Sequence, residues 1–233
     1  MKNYFIAATL ILTCIDASQA QVNLNNPNID AIMLNQGASR VFRNSKTLSG
    51  EILGSQYQQI MFASAKVDNV AQKYFMRYNN YEDEFEFITP KNDTLALDKI
   101  DDFNTITFVG TNKKYKLVSY SNNVGKNHKG YLIEMYQKTN YTLYKREWMS
   151  FYAGKKAKTS LEKDMPAKFV KQDDSYYLKD ANGNIIDFPE SKKQLLKLFP
   201  DKKQGIETFI KENKIDFDLE NDKKRITNLL STF

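Results

Sequence analysis

GYLIEMYQKTNYTLYKREWMSF, Gly130–Phe151, sets the architecture. Two runs rich in Tyr, Leu, Ile and Phe flank a short Lys-Thr-Asn connection, which reads as two consecutive strands joined by a turn. Runs of the same kind recur on both sides: YQQIMFASAKV, KYFMRY, EFEFI, TLAL, TITFV and KYKLVSYS before it, AKFVK, SYYLKD and NIIDF after it. Many alternate with period two. No segment of helical period and crossover length separates them, so neighbouring strands must run antiparallel. No repeat is regular enough for a propeller or solenoid.

Turn residues support this layout. In DANGNIID, Asn182 and Gly183 separate two strand runs, and Asn-Gly readily takes the positive φ angles of a type I′ hairpin. Asp180, Asn182 and Asn184 share the first spacings of a calcium loop, but Ile185 and Ser191 stand where that loop needs Gly and Glu. In RYNNYEDEFEFI, Asn79 and Asn80 turn the chain. Beyond them Glu82, Glu84 and Glu86 share one face, expected to be solvated, opposite Asp83, Phe85 and Phe87.

The period changes after Ser191. Leu195, Leu198 and Phe199, then Ile206, Phe209 and Ile210, then Ile226, Leu229, Leu230 and Phe233 fall at helical spacing. Three short amphipathic helices are expected, with Ser191 capping the first, Pro200 between the first two and Asp218 capping the third. Helices this short need a surface to bury against, and the sheet is the nearest one. Lys192, Lys193, Lys197, Lys202 and Lys203 lie off the apolar stripes and should face water. The expected fold is α+β: an antiparallel β meander or open barrel-like sheet with a C-terminal cap of short helices. The boundaries are 1–20 as a signal peptide, 21–55 without a clear pattern, 56–190 as the β-rich domain and 191–233 as the helical tail.

MKNYFIAATLILTCIDASQA has the form of a secretory leader: Lys2, an apolar run, then Ser18 and Ala20 at a small-residue cleavage site. The run is short for a membrane anchor. Cys14 would suit a lipoprotein, but Thr13 precedes it where a small residue is usual. Cleavage after Ala20 removes the only cysteine, leaving a periplasmic or extracellular chain without disulfides. The net charge of +6 is unevenly spread. Acidic residues crowd Glu82–Asp102, whereas Thr111–Ser160 is strongly basic and has only Glu134 and Glu147 as acids. In an exported protein such a basic stretch reads first as a solvated surface balanced by the chain's own acidic segment, and otherwise suits an envelope protein, anionic lipid or acidic polysaccharide, with nucleic acid disfavoured.

Catalytic signatures are scarce. His128 is the only histidine and lies in NNVGKNHKG, which reads as an exposed loop. There is no nucleophile elbow, metalloprotease motif, P-loop or dinucleotide fingerprint, and no cofactor or metal site is expected. One histidine suffices for a Ser-His-Asp site, so a hydrolase stays open. Aromatic rings beside cations are more abundant. Tyr136, Tyr144, Lys145, Arg146, Trp148 and Tyr152 are the candidate ligand or surface contacts, because such rings stack on sugars or sit at interfaces.

The ending SKKQLLKLFPDKKQGIETFIKENKIDFDLENDKKRITNLL, preceded by YYLKDANGNIIDF, resembles the C-terminal part of uncharacterised secreted bacterial proteins. These pair a signal peptide and a β-rich middle with a Lys-rich helical tail. The resemblance implies export and a fold, and brings no activity. The reading that follows is a non-enzymatic exported β-protein binding a partner or ligand at the cell envelope. The alternatives are an outer-membrane β-barrel, suggested by the many strands and terminal Phe233, and a hydrolase with an unrecognised site.

Overall fold

The computed structural model describes residues 42–44, 52–89, 92–121, 127–159 and 161–233. The leader and most of the 21–55 segment lie outside the described residues. Among these residues fourteen strands are formed: β1 Phe42–Asn44, β2 Ile52–Leu53, β3 Ala63–Val67, β4 Lys73–Asn79, β5 Glu84–Ile88, β6 Thr94–Leu97, β7 Thr105–Phe108, β8 Lys114–Ser121, β9 Asn127–Gln137, β10 Thr142–Arg146, β11 Met149–Tyr152, β12 Ala167–Lys171, β13 Ser175–Lys179 and β14 Ile185–Asp187. Three α-helices among the described residues follow: α1 Lys192–Leu198, α2 Lys203–Asn213 and α3 Glu220–Leu230. Eleven strands make one antiparallel sheet in the order β1-β6-β5-β4-β3-β7-β8-β9-β10-β13-β14, and β11-β12-β2 make a second, small sheet. The α+β architecture with C-terminal helices is therefore the one the sequence pattern implied.

The large sheet curls into a half-barrel. Phe85 on β5 and Tyr131 on β9 are five strand steps apart, yet their rings meet at 4.8 Å. Only a strongly coiled sheet brings side chains on one face that close. Inside the curl, Met76, Tyr78, Phe85, Phe87, Ile106, Tyr115, Leu117, Tyr131 and Ile133 form one core. Further along, Leu143 and Leu178 carry the helices, whose Leu195, Ile206, Ile226 and Leu230 are fully buried against them. Each such side chain contributes about 1.5–3 kcal/mol on burial, so the tail is part of the fold. A β-bulge in β9, where Met135 is skipped between the partners of Leu143 and Tyr144, bends that strand. On the reverse face, Tyr120, Leu132, Tyr144, Tyr177 and Ile185 form a third cluster where β14 folds back toward β8. No helix among the described residues is long and apolar enough to cross a membrane.

Several local expectations are corrected. Tyr141–Phe151 is not one strand: Glu147 and Trp148 form a corner at which the chain leaves the large sheet for the small one. YQQIMFASAKV becomes a strand only from Ala63, because Tyr57 and Phe62 turn back to stack on Arg77. His128 lies within β9, half-buried and stacked on the Tyr120 ring at 5.8 Å, so that part of the presumed loop is strand. The Asp180–Asn184 turn is not type I′, since only Gly183 has positive φ (89°) and Asp180 accepts the N–H groups of Asn182 and Asn184.

The carboxylate face of β5 is buried, not solvated. Glu86 is fully enclosed, receiving the Arg77 guanidinium at 2.7 and 2.8 Å and the Tyr57 hydroxyl at 2.9 Å. Glu84 pairs with Arg43 of β1. Burial and the neighbouring Glu86 push the Tyr57 phenol up to about 12. Among the helices, Ser191 caps α1 and Pro200 opens the turn before α2, as expected. Asp218 does not cap α3: Leu219 occupies that position, and Asp216 and Asp222 bond the preceding loop instead. Leu198 is 43% exposed because α1 ends there.

Candidate functional site

A pocket of about 430 Å³ opens at one end of the curl. That volume lies in the range that holds small-molecule ligands. Five elements build it, the lead-in and first residue of β3 supplying Gln58, Gln59 and Ala63. β4 and its turn supply Tyr78 and Asn80, β7 and the following turn supply Phe108, Gly110 and Thr111, β8 and its lead-in supply Lys113 and Tyr115, and the β10–β11 corner supplies Glu147. The β7–β8 turn is tight because Asn112 takes φ 53° and Phe108 N–H bonds Lys113 O at 3.0 Å.

Polar atoms at the wall are held in place. Lys113 Nζ meets Glu147 Oε2 at 2.5 Å, and Lys145 Nζ meets Glu147 Oε1 at 3.2 Å. Glu147 is nearly buried, which by itself opposes ionisation. The hydrogen bonds and charges of Lys113 and Lys145 outweigh that and hold its carboxyl below the usual glutamate value. Burial likewise opposes the charge on Lys145, but Glu147 and Glu220 raise its pKa. Asn80 is the local keystone: its Oδ1 accepts Gln58 N–H at 2.8 Å, its Nδ2 donates to Glu147 O at 3.0 Å, and its carbonyl accepts Met149 N–H at 3.1 Å. Burial raises the Tyr115 phenol above its ordinary value, so it stays protonated. The result is a wall of aromatic rings beside a fixed pair of opposite charges.

The six sequence candidates are not brought together. Tyr144 is buried on the reverse face. Lys145 belongs to the ion-pair cluster behind the pocket, bonding Glu147, Asp174 and Glu220. Arg146 lies 5.3 Å from the Trp148 ring, whose Nε1 donates to Asp173 O at 3.1 Å. Tyr136 donates to Asn228 Oδ1 at 2.9 Å, fastening α3 to β9. Tyr152 is half-exposed on the small sheet beside Lys168.

Lys113, Tyr115 and Glu147 were missed, although one signal pointed to them. Glu147 and Glu134 are the only acids in a long basic stretch, and each proves to be clamped by two lysines. Among the described residues no group of three or more His, Cys, Asp or Glu is arranged to hold a metal. The chain matches no protein-family profile, no curated protein and no solved structure.

Proposed function

We propose that this is an exported, non-enzymatic binding protein of the cell envelope whose ligand enters the pocket between Tyr115 and Glu147. The observation that carries the reading is the pocket itself: ligand-sized, walled by Tyr78, Phe108 and Tyr115, and bordered by the Lys113–Glu147 pair. Aromatic faces take the apolar part of a ligand, and the ion pair and amide groups take polar groups at fixed positions. A small, partly apolar molecule with polar or charged substituents fits that lining. Export is supported by the leader-like residues 1–20.

A binding role is favoured over hydrolysis because the sole histidine stacks on Tyr120, and His128 is not among the residues lining the pocket. It is favoured over a membrane barrel because, among the described residues, the strand order of the large sheet ends at β1 on one side and β14 on the other. Gly110 offers a clean test. A Cβ added there meets nothing within 4 Å, and the residue lines the pocket. Native mass spectrometry after incubation with an envelope extract should show a small molecule retained by the wild type and lost from Gly110→Trp.

A further inference from the structure

We propose that the hairpin joining β11 to β12 is an arm that docks on an anionic lipid bilayer. This does not depend on the pocket. The arm runs on from the small sheet through a bridge in which Lys155 and Met165 exchange backbone hydrogen bonds at 2.8 Å, and it turns where Glu162 N–H meets Thr159 O. From Tyr152 to Lys168 it carries Lys155, Lys156, Lys158, Lys163 and Lys168 against Glu162 and Asp164.

Both acids, though exposed, bond back onto the arm. Asp164 accepts the Lys156 ammonium at 3.0 Å and Ala157 N–H at 2.8 Å, and Glu162 accepts Lys158 N–H at 3.0 Å. Lys155, Lys158 and Lys163 are exposed and form no ion pair among the described residues. The arm thus presents net positive charge outward.

Large apolar side chains stand among those cations. Leu161, beside the turn, is 95% exposed and Met165 is 60% exposed. Nearer the body, Tyr152, Lys168 and Leu53 are register partners on adjacent strands and so share one face, with Tyr152 and Leu53 each 50% exposed. The opposite face is spent on packing, where Phe151 and Phe169 close on Tyr81. An acidic protein would need a cleft to receive Leu161. A bilayer receives a protruding leucine anywhere on its surface, takes tyrosine at the headgroup level, and lets lysines reach phosphates with their stems lying on apolar surface. Charge complementarity and an apolar tip together therefore select lipid.

The test is co-sedimentation of the purified protein with vesicles of phosphatidylglycerol and phosphatidylethanolamine, compared with phosphatidylcholine alone. Binding is expected only to the anionic vesicles and should weaken as salt rises. Each lysine near such a surface is worth about fivefold in affinity, so Lys155→Gln/Lys158→Gln/Lys163→Gln should lose roughly a hundredfold. Leu161→Asp should also weaken binding, and the fluorescence of Leu161→Trp should shift to the blue on anionic vesicles. All four sites are exposed, so melting temperatures should match the wild type and a loss of binding will not reflect misfolding. The proposal is overturned if the protein ignores anionic vesicles, if it binds an acidic polysaccharide but not lipid, or if binding survives these substitutions, which would move the contact to the lysine-bearing helices.

Discussion

The carboxylate of Asp83 accepts the backbone N–H of Tyr131 at 3.0 Å across 48 residues of chain. β10 pairs with β9 only as far as Ile133, so beyond it the Tyr131 N–H loses its strand partner. Asp83, held at φ 55° in the β4–β5 turn, takes that place while binding the Tyr78 hydroxyl at 2.5 Å and Lys99 at 2.6 Å. One aspartate thereby ties the two limbs of the curl together. Gly130 makes room for it, since any Cβ there would collide with Asp83 Oδ2.

Gly130→Ala should therefore destabilise the protein by about 1–3 kcal/mol, the usual cost of overpacking. Combined with Asp83→Gly, which removes the collision, the loss should be smaller than the sum of the two single losses. Denaturant midpoints of the three variants check this.

The buried pair Arg77–Glu86 makes a second coupled prediction. Glu86→Leu leaves a half-buried guanidinium facing an apolar group and should cost about 3–5 kcal/mol, whereas Arg77→Met/Glu86→Leu should recover much of it. Thermal melts of the single and double variants decide the outcome. A double variant as unstable as the single one would assign the loss to packing.

Docking of the helical tail should show as a difference between two kinds of substitution. Ile226→Ala, at a fully buried site, should cost about 2–5 kcal/mol. Replacing exposed Lys192, Lys193, Lys197, Lys202 and Lys203 by glutamine should change stability by less than about 0.5 kcal/mol. A chain truncated after Glu190 should aggregate, because Leu143 and Leu178 lose their cover.

Acid should loosen the contact between sheet and tail. Glu147 and Glu220 are both opposed by burial but held below the usual value of 4.5 by their lysine partners. Carboxylates with depressed folded-state values contribute stability that is fully present above 4.5 and is lost as pH falls through those lower values. Lys145 is opposed by burial but raised by these same carboxylates, so the pairing has an alkaline limit as well and fades above the lysine's ordinary 10.5. The melting temperature should hold above pH 4.5 and then drop. Glu147→Gln/Glu220→Gln should melt lower near neutrality and show a shallower acid limb.

The strands and helices were legible because their periods are local properties. TITFV alternates whatever it packs against, and Leu195, Ile206 and Ile226 announce a helical stripe without naming its partner. What the residue order hid was long-range pairing. Glu86 is drawn inward by Arg77 on a neighbouring strand and by Tyr57, 29 residues away, and no local pattern separates that carboxylate from a solvated one. Glu147 was obscured in the same way, by Lys113 lying 34 residues earlier. Aromatic density drew attention to Tyr136 and Tyr144, whose neighbours are core and helix. The pocket residues come from five separate elements and have no sequence signature as a group.

The central claim is that the pocket beside Lys113 and Glu147 holds a ligand, and Gly110→Trp tests it most directly. Wild type and variant should melt at the same temperature, since a Cβ at position 110 meets nothing within 4 Å. Native mass spectrometry should find a small molecule on the wild type and none on the variant. Equal retention by both, or no retained molecule on the wild type after exposure to envelope extract, would contradict it.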